Sequence, residues 1–523
     1  MLKKPAAVYI AIFFFAVICL YGVANSHLIK EPLKQFAKDK DTDAFIADVQ
    51  KAYVSDKLFS KDFLISVNGL YARLTNRCVY NDVSLLKNGS LMIEVPHYRD
   101  MKAEADKLYG IKRYLETEKN TQFLYVQCGT NIDLEQTVLR VDSSFNDYEK
   151  CDQLLERLRL QGVNTIDLRQ KLNGTIADTE KYYFRTDHHW NYAGALVGLQ
   201  MITQEMDKLF PEYEFDLSHT EFENWEKHTL KNFLLGNVGR RVGPWYAGVE
   251  DFFYYTPKFD TDMSCVMYNG STALLNKGDF ETVNIQKKKI AQRDYLRSEP
   301  YFAYVGANYP VVKYRNMNAP NDLKILMIRD SFSIPLQVYM ASLFTEVDAV
   351  DPRHYKGVTL TDCLQADSYD IVLMVLAPFA IFKSDFFSFV DVSNTAYNVT
   401  DTVRIDSLVV NEDKKAGNSK ALPVELKPGN ICTVKIDRAE LSSGNTRGFM
   451  LNLQDVSANK VLQSMVFDLE YGNRTDGFTW VFDIPQTDHD LKLVLYSGTN
   501  SKAADAAVDF QGIEIVQQNK GTE

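Results

Sequence analysis

Lys324-Ile325-Leu326-Met327-Ile328-Arg329-Asp330-Ser331-Phe332-Ser333 is an apolar run that ends abruptly in Asp-Ser. The stretch that follows, Ile334 to Leu343, reads as a helix, with Pro335 tolerated in its first turn. A strand that runs straight into a helix delivers Ser331 to the carboxyl edge of a sheet, where ligands of open parallel sheets bind. The helix N-terminus adds backbone N–H groups able to hold a developing oxyanion. Ser331 is therefore a candidate nucleophile, set against the plainer reading that a Ser or Asp at such a junction only caps the helix.

Further compact apolar strands lie on either side: Gln122 to Val126, Val163 to Leu168, Glu346 to Val350 and Ile371 to Leu376. Helical stretches, Tyr148 to Leu160 and Ala193 to Phe210, separate the first of them. Strands that are apolar on both faces and alternate with helices predict an α/β fold, a parallel sheet covered on both sides, over residues 121–388. Within it, about 218–320 is rich in aromatics, Gly and Asn and reads as a loop-heavy insertion over the sheet. Residues 27–120 form a polar, helix-prone lead-in.

After about residue 389 the texture changes to eight short alternating runs: Thr402 to Val410, Leu422 to Leu426, Cys432 to Ile436, Phe449 to Leu453, Leu462 to Asp468, Phe478 to Ile484, Leu491 to Tyr496 and Val508 to Ile515. Their spacing predicts an antiparallel β-sandwich of jelly-roll type over 395–518. Tyr471, Phe478 and Trp480 are its candidate sugar-stacking aromatics, with a purely structural cap as the alternative.

The chain has 523 residues and a net charge of −11, with 58 basic and 69 acidic side chains. That balance argues against a nucleic-acid partner or a polybasic membrane binder. A hydrophobic share of 46% excludes disorder as the main state. The seven cysteines are scattered without CxxC spacing, so no zinc cage or disulfide framework is indicated. Lys3 and Lys4 precede an uncharged stretch from Pro5 to Ser26. Its apolar run of about 18 residues is just long enough to span a bilayer. Residues 1–26 read as a signal anchor, or a signal peptide cleaved near Gly22-Val23-Ala24, with the bulk of the chain outside the cytoplasm.

A second concentration of chemistry is Arg185-Thr186-Asp187-His188-His189-Trp190-Asn191. On an extended segment, residues two apart project to the same side, so Asp187 and His189 form a working pair while His188 points elsewhere. An Asp beside a His holds its tautomer and stabilises the imidazolium formed when the ring takes a proton. Asp-His-His also offers ligands for manganese or zinc. The acidic motifs that accompany such runs in cytoplasmic phosphoesterases are missing here, so neither metal nor other cofactor is expected. Ser331 needs a base and the base an orienting Asp, and two segments of this chain supply all three.

The Asp187-His188-His189-Trp190 run followed by Arg329-Asp330-Ser331-Phe332 resembles the bacterial DHHW protein family. That family is itself similar to the SGNH-hydrolase-like proteins of alginate O-acetylation, and the similarity covers approximately residues 40 to 385. The resemblance implies a three-layer α/β/α sandwich with Ser331 as nucleophile, His189 as general base and Asp187 as its orienter. It also implies O-acetylation of a cell-envelope or extracellular polysaccharide, a membrane-bound O-acyltransferase as acetyl donor, and a carbohydrate-binding role for the C-terminal sandwich. The usual Gly-Asp-Ser has become Arg329-Asp330-Ser331, which sets a long cation beside the supposed oxyanion turn. Gly236-Asn237 is the candidate for further oxyanion donors, and Arg353, Trp190, Arg329 and Asn237 are the candidate substrate contacts. Two other readings stay open: a carbohydrate esterase with the same three residues, and a non-catalytic glycan-binding component.

Overall fold

In the computed structural model the described residues are 4–53, 58–93, 100–140, 145–270, 272–291, 294–355, 358–392, 397–411, 418–443, 448–468, 474–498 and 507–520. The N-terminal segment forms the helix Lys4–Ala24 (α1), and the lead-in holds Lys30–Asp39 (α2), Thr42–Tyr53 (α3) and Lys61–Leu74 (α4), followed by a small sheet of Val79–Tyr80, Val83–Leu85 and Leu91–Ile93. Several side chains of α1 lie outside the described residues. Among the described residues no helix is long and apolar enough to cross a membrane.

The apolar runs around Ser331 form one mixed sheet. Its strands in the body are Gln122–Gln127 (β1), Thr165–Asp167 (β2), Met263–Asn269 (β3), Thr272–Gly278 (β4), Val311–Asn316 (β5), Asn321–Arg329 (β6), Phe344–Val350 (β7) and Ile371–Leu376 (β8). They lie in the order β4-β3-β5-β7-β6-β8-β1-β2. From β7 to β2 all neighbours are parallel. Strands β5, β3 and β4 extend that block antiparallel.

Alternate residues of each central strand enter two different cores. Leu326 and Ile328 pack with Lys102–Tyr114 (α5) and Asp147–Leu160 (α6), through Leu108, Ile111, Leu154 and Leu158. Ile325 and Met327 pack with Tyr192–Leu209 (α7), through Leu196 and Leu199. The six-residue helix Asn237–Val242 (α8) comes next, and Ile334–Leu343 (α9) completes the second core. Every residue of α9 is buried, as a helix apolar on all sides requires. The body thus has helices on both faces of its sheet.

Two expectations are corrected here. The sheet is mixed, not parallel throughout, and the segment 218–320 is not loop-heavy. That segment supplies β3, β4 and β5 and a separate hairpin, Trp225–Leu234 with Glu250–Pro257. The reason lies in its alternation: Cys265 and Met267 enter one core while Val266 and Tyr268 enter the other. The Gly and Asn of the segment suggest loops, but in β3 and β4 Asn269 and Gly270 lie at the turn and Gly278 ends a strand.

Among the described residues the C-terminal part has eight strands: Tyr397–Val410 (β9), Ser419–Ala421 (β10), Ile431–Ser443 (β11), Gly448–Asp455 (β12), Lys460–Asp468 (β13), Arg474–Asp483 (β14), Leu491–Tyr496 (β15) and Ala507–Lys520 (β16). One antiparallel array runs β9-β16-β11-β14 and the other β10-β15-β12-β13. Their facing aromatics interlock, Phe449 against Phe510 at 5.0 Å and Phe467 against Phe478 at 4.1 Å between ring centroids. Strand β13 also pairs in parallel with β4, so the second array continues the sheet of the body. The second run is shifted, with its strand at Ser419–Ala421 and not Leu422 to Leu426. Phe478 is a core residue with no open stacking face, Trp480 is largely buried but lines a cavity against the body, and Tyr471 lies outside the described residues.

Candidate active site

The turn after β6 is shaped by Asp330. Its Oδ1 accepts the Phe332 N–H at 2.8 Å and its Oδ2 accepts the Ala377 N–H at 2.8 Å. The first bond caps the 3₁₀ turn Ser331–Ser333 that leads into α9, and the second ties the end of β6 to the end of β8. Burial raises the Asp330 pKa, and these two donors work against that rise. Capping therefore falls to Asp330, and the Ser331 hydroxyl is left for another partner: His189 Nε2 lies 3.0 Å from Ser331 Oγ.

His189 comes from the segment that enters α7. An isolated bridge between Tyr183 and Trp190 closes this segment into a narrow loop. The half-buried Glu250 holds its tip, accepting the Arg185 N–H at 2.9 Å and the Thr186 N–H at 2.7 Å. Asn191 then caps α7, accepting the N–H groups of Ala193 and Gly194. Between these fixed ends Asp187 Oδ1 meets His189 Nδ1 at 2.6 Å and accepts the His189 N–H at 3.1 Å. The other carboxylate oxygen accepts the Asn237 N–H at 2.8 Å. The Tyr301 ring lies flat against the His189 imidazole, 3.8 Å between centroids at an interplanar angle of 12°.

Charge follows from this packing. Burial lowers the His189 pKa to about 4, the nearby His188 pushes the same way, and Asp187 opposes both. His189 is thus a neutral base near pH 7. Burial by itself would raise the Asp187 pKa. The His189 charge and hydrogen bond, His188 and the Asn237 N–H more than reverse this, holding the carboxyl well below the usual range.

Asp187, His189 and Ser331 open on a cavity of about 250 Å³ that is also lined by Asn237, Tyr301 and Arg353. The structure thus brings together seven of the residues singled out in the sequence, His188 and Gly236 included. Arg353 reaches the cavity while making two bonds to Asp351, at 2.9 and 2.7 Å. Asn237 also lines it: its backbone N–H is held by Asp187 and its side-chain oxygen faces His188 Nδ1 at 3.0 Å, which leaves its side-chain NH₂ for an oxyanion. Gly236 beside it is required by close approach, since a Cβ there would fall 2.4 Å from Asp187 Cβ.

The other two expected substrate contacts are corrected. Trp190 is fully buried and donates its indole N–H to the Phe332 carbonyl at 2.6 Å, bracing the turn that carries Ser331. Arg329 is fully buried too and does not line the cavity. It bonds to Gln337 Oε1 at 3.0 Å, the Tyr309 carbonyl at 2.9 Å, and the side chains of Asn308 and Asp351. The long cation does not crowd the turn because these groups draw it beneath the sheet edge. Removing it takes one partner from the buried Asp351, which keeps Arg353 and Asn308, and takes their donor from the side-chain oxygens of Gln337 and Asn308. Arg329→Met is expected to lose about 1–3 kcal/mol of stability through those buried acceptors, read as a lowered urea midpoint.

Tyr301, Glu250 and Asn308 were not legible beforehand. Each belongs to the segment 218–320, far along the chain from its partners, and no local motif marks it. Asp187, His188 and His189 place their ligand atoms within 4.8 Å of one another. The two ring nitrogens of His189 face Asp187 and Ser331 in turn, and both Asp187 oxygens accept N–H groups. The donor set is arranged as a hydrogen-bond chain and not as a cage converging on one point, so it does not fit a metal ion.

Residues 97–247 match the family model described as SGNH hydrolase-like domain, acetyltransferase AlgX. None of the curated proteins matches the chain. Among solved structures, PatB1 of Bacillus cereus is 22% identical, with 57% of this chain and 97% of that one covered and a TM-score of 0.48. A DHHW family protein from Eubacterium siraeum is 17% identical over 59% of this chain and 96% of that one, with a TM-score of 0.45. AlgX of Pseudomonas aeruginosa is 12% identical over 84% and 95%, with a TM-score of 0.34. The resemblance read from the Asp187–Trp190 run thus recurs in the family model: residues 97–247, which carry Asp187 and His189, are similar to the SGNH hydrolase-like domain of AlgX.

Proposed function

We propose that this protein transfers an acetyl group to a hydroxyl of a cell-envelope or extracellular polysaccharide, with Ser331 as nucleophile, His189 as general base and Asp187 as its orienter. The observation that carries this reading is the unbroken chain from Ser331 Oγ to His189 Nε2 at 3.0 Å and from His189 Nδ1 to Asp187 Oδ1 at 2.6 Å. His189 takes the Ser331 proton as Oγ bonds to the acyl carbon, and the leaving group departs with that proton. The acceptor hydroxyl then gives its proton to His189 and attacks the acyl-serine, and His189 returns the proton to Ser331. At the turn, the Phe332 N–H is held by Asp330 Oδ1 and the Ser333 N–H by the Asp330 carbonyl. We assign the oxyanion to the Ser331 N–H, with Arg353 at the cavity wall favouring the same negative charge.

With water as acceptor the same steps make an esterase, so the acceptor decides the reaction. The purified full chain, given 4-nitrophenyl acetate, should carry acetyl on the Ser331 peptide by mass spectrometry. An acceptor oligosaccharide should speed loss of that acetyl and gain it. Acetylation elsewhere but not on Ser331 would overturn the assignment.

The surroundings fit the same reading. We take the eight C-terminal strands as a jelly-roll that binds glycan. A cavity of about 330 Å³ between it and the body supports this, lined by Trp480 and Gln463 on one side and Lys313 and Tyr369 on the other. We also read α1 as an anchor that keeps the body outside the cytoplasm, beside a membrane-bound O-acyltransferase as acetyl donor.

A further inference from the structure

Helix α4 is built inside out. Its buried residues are the small ones, Ser66, Gly69 and Ala72, and they let it pack closely against α8 and the residues that follow. A Cβ on Gly69 would fall 2.1 Å from the Val242 carbonyl oxygen. Its large apolar residues point the other way. Phe63, Val67, Leu70, Tyr71 and Leu74 follow the i, i+4, i+7, i+8, i+11 spacing of a single stripe, and all are exposed, Leu74 at 74%. Trp245 extends the stripe: it is 48% exposed, with its ring 6.1 Å from that of Phe63. Phe59, just before α4, is exposed as well. An apolar patch of this extent marks an interaction surface.

What covers it follows from its neighbour. The buried Asn25, one residue past α1, accepts the Phe59 N–H at 2.7 Å and donates to the Tyr21 carbonyl at 3.0 Å. The carboxyl end of α1 is thereby fastened to the start of α4. Helix α1 has no charged residue after Lys4 and exposes Ile12, Phe13, Phe15, Leu20 and Val23. The two exposed apolar surfaces therefore meet at Asn25. The α4 stripe also carries Tyr71 and Trp245, with the exposed Arg73 and Arg77 beside it and the Arg77 guanidinium over the Tyr71 ring at 5.6 Å. Aromatics with a polar tip and flanking cations suit the headgroup level of a bilayer.

We propose that the outward face of α4, with Trp245, lies in the interfacial layer of a phospholipid bilayer, next to the point where α1 leaves it. The inference shares the reading of α1 as an anchor and is independent of the acyl-transfer chemistry. A body held at two places cannot tumble freely about a single tether, so the Ser331 cavity keeps a set orientation toward the membrane.

Tryptophan fluorescence tests this directly. Of the four tryptophans, Trp190, Trp225 and Trp480 are buried at 0%, 3% and 6% exposure, so quenching from lipid reads Trp245. The full chain is reconstituted in phosphatidylcholine vesicles whose acyl chains are brominated near the headgroup, and vesicle-bound protein is isolated by flotation. Part of the emission should be lost relative to unbrominated vesicles, and Trp245→Phe should abolish that loss. Vesicle-bound protein with unchanged emission, or an equal loss in Trp245→Phe, overturns the α4 contact while leaving the anchor intact. Trp245 shielded from both brominated lipid and aqueous iodide means a protein surface covers it, and this overturns the proposal too. Failure to float with the vesicles overturns both the contact and the anchor.

Discussion

Ser331→Ala is expected to abolish acetylation of the enzyme and to cut acyl transfer by at least about 10⁴-fold, while the protein folds normally. The Ser331 hydroxyl is half-buried and bonds to His189, and the turn around it is held by Asp330, Tyr301 and Trp190. Deleting one oxygen there removes the atom that forms the covalent bond and leaves those braces in place. The change in stability should stay within about 0.5 kcal/mol. Transfer to an acceptor oligosaccharide is followed alongside thermal unfolding of the same sample. Undiminished transfer by a folded Ser331→Ala protein would sink the covalent mechanism. Loss of transfer with a collapsed unfolding temperature would instead mean that the turn depends on this hydroxyl.

Asp187→Asn should lower kcat by about 10²–10⁴-fold with little change in KM. The reason is the direction of each hydrogen bond. Asp187 accepts at both oxygens, from His189 on one side and from the Asn237 N–H on the other. An amide has one oxygen to offer. If it faces the Asn237 N–H, its NH₂ meets His189 Nδ1 and drives the ring proton to Nε2, where it opposes Ser331. If it faces His189, its NH₂ collides with the Asn237 N–H. Either outcome removes the base or loosens the loop. The pH profile separates this from a merely structural loss. His189 must be neutral to act, so activity in the unaltered protein should rise through pH about 4 and then level off. Asp187 is the group that favours the protonated ring, and its loss should move the acid limb of the residual activity to lower pH. A limb that stays put or moves upward would contradict the assignment of Asp187.

The body of the fold was legible wherever burial on both faces leaves a continuous apolar run. Such runs read as strands in β1, β6 and β8 because nothing polar interrupts Phe123 to Val126, Ile325 to Ile328 or Ile371 to Leu376, whereas β7 alternates Glu346 and Asp348 with Val347 and Ala349. Strands β3 to β5 were hidden because their aromatic, Asn and Gly content resembles that of loops, and their alternation has meaning only once two cores exist to receive it. Arg329 shows the same limit at one residue. A long cation next to Ser331 reads as a wall of the site, yet Asn308, Tyr309, Gln337 and Asp351 draw it out of the cavity, and those partners come from three other segments. Trp190 is similar, its indole turned inward by the Phe332 carbonyl, which lies 142 residues away in the chain.

By itself the sequence determined what depends on neighbours along the chain. These features are the strand-to-turn-to-helix passage at Asp330-Ser331, the Asp187–His189 pair two residues apart, and the change after residue 389 to alternating strands. Periodicity and spacing act within a few residues, so they can be read without knowing the fold. Only the tertiary structure decided which groups meet across long separations: His189 with Ser331, Asn237 with Asp187, Tyr301 on the imidazole, and α4 turned outward beside the end of α1. Those meetings depend on the order in which strands enter the sheet and on how closely small residues let helices approach, and neither is written in any local stretch.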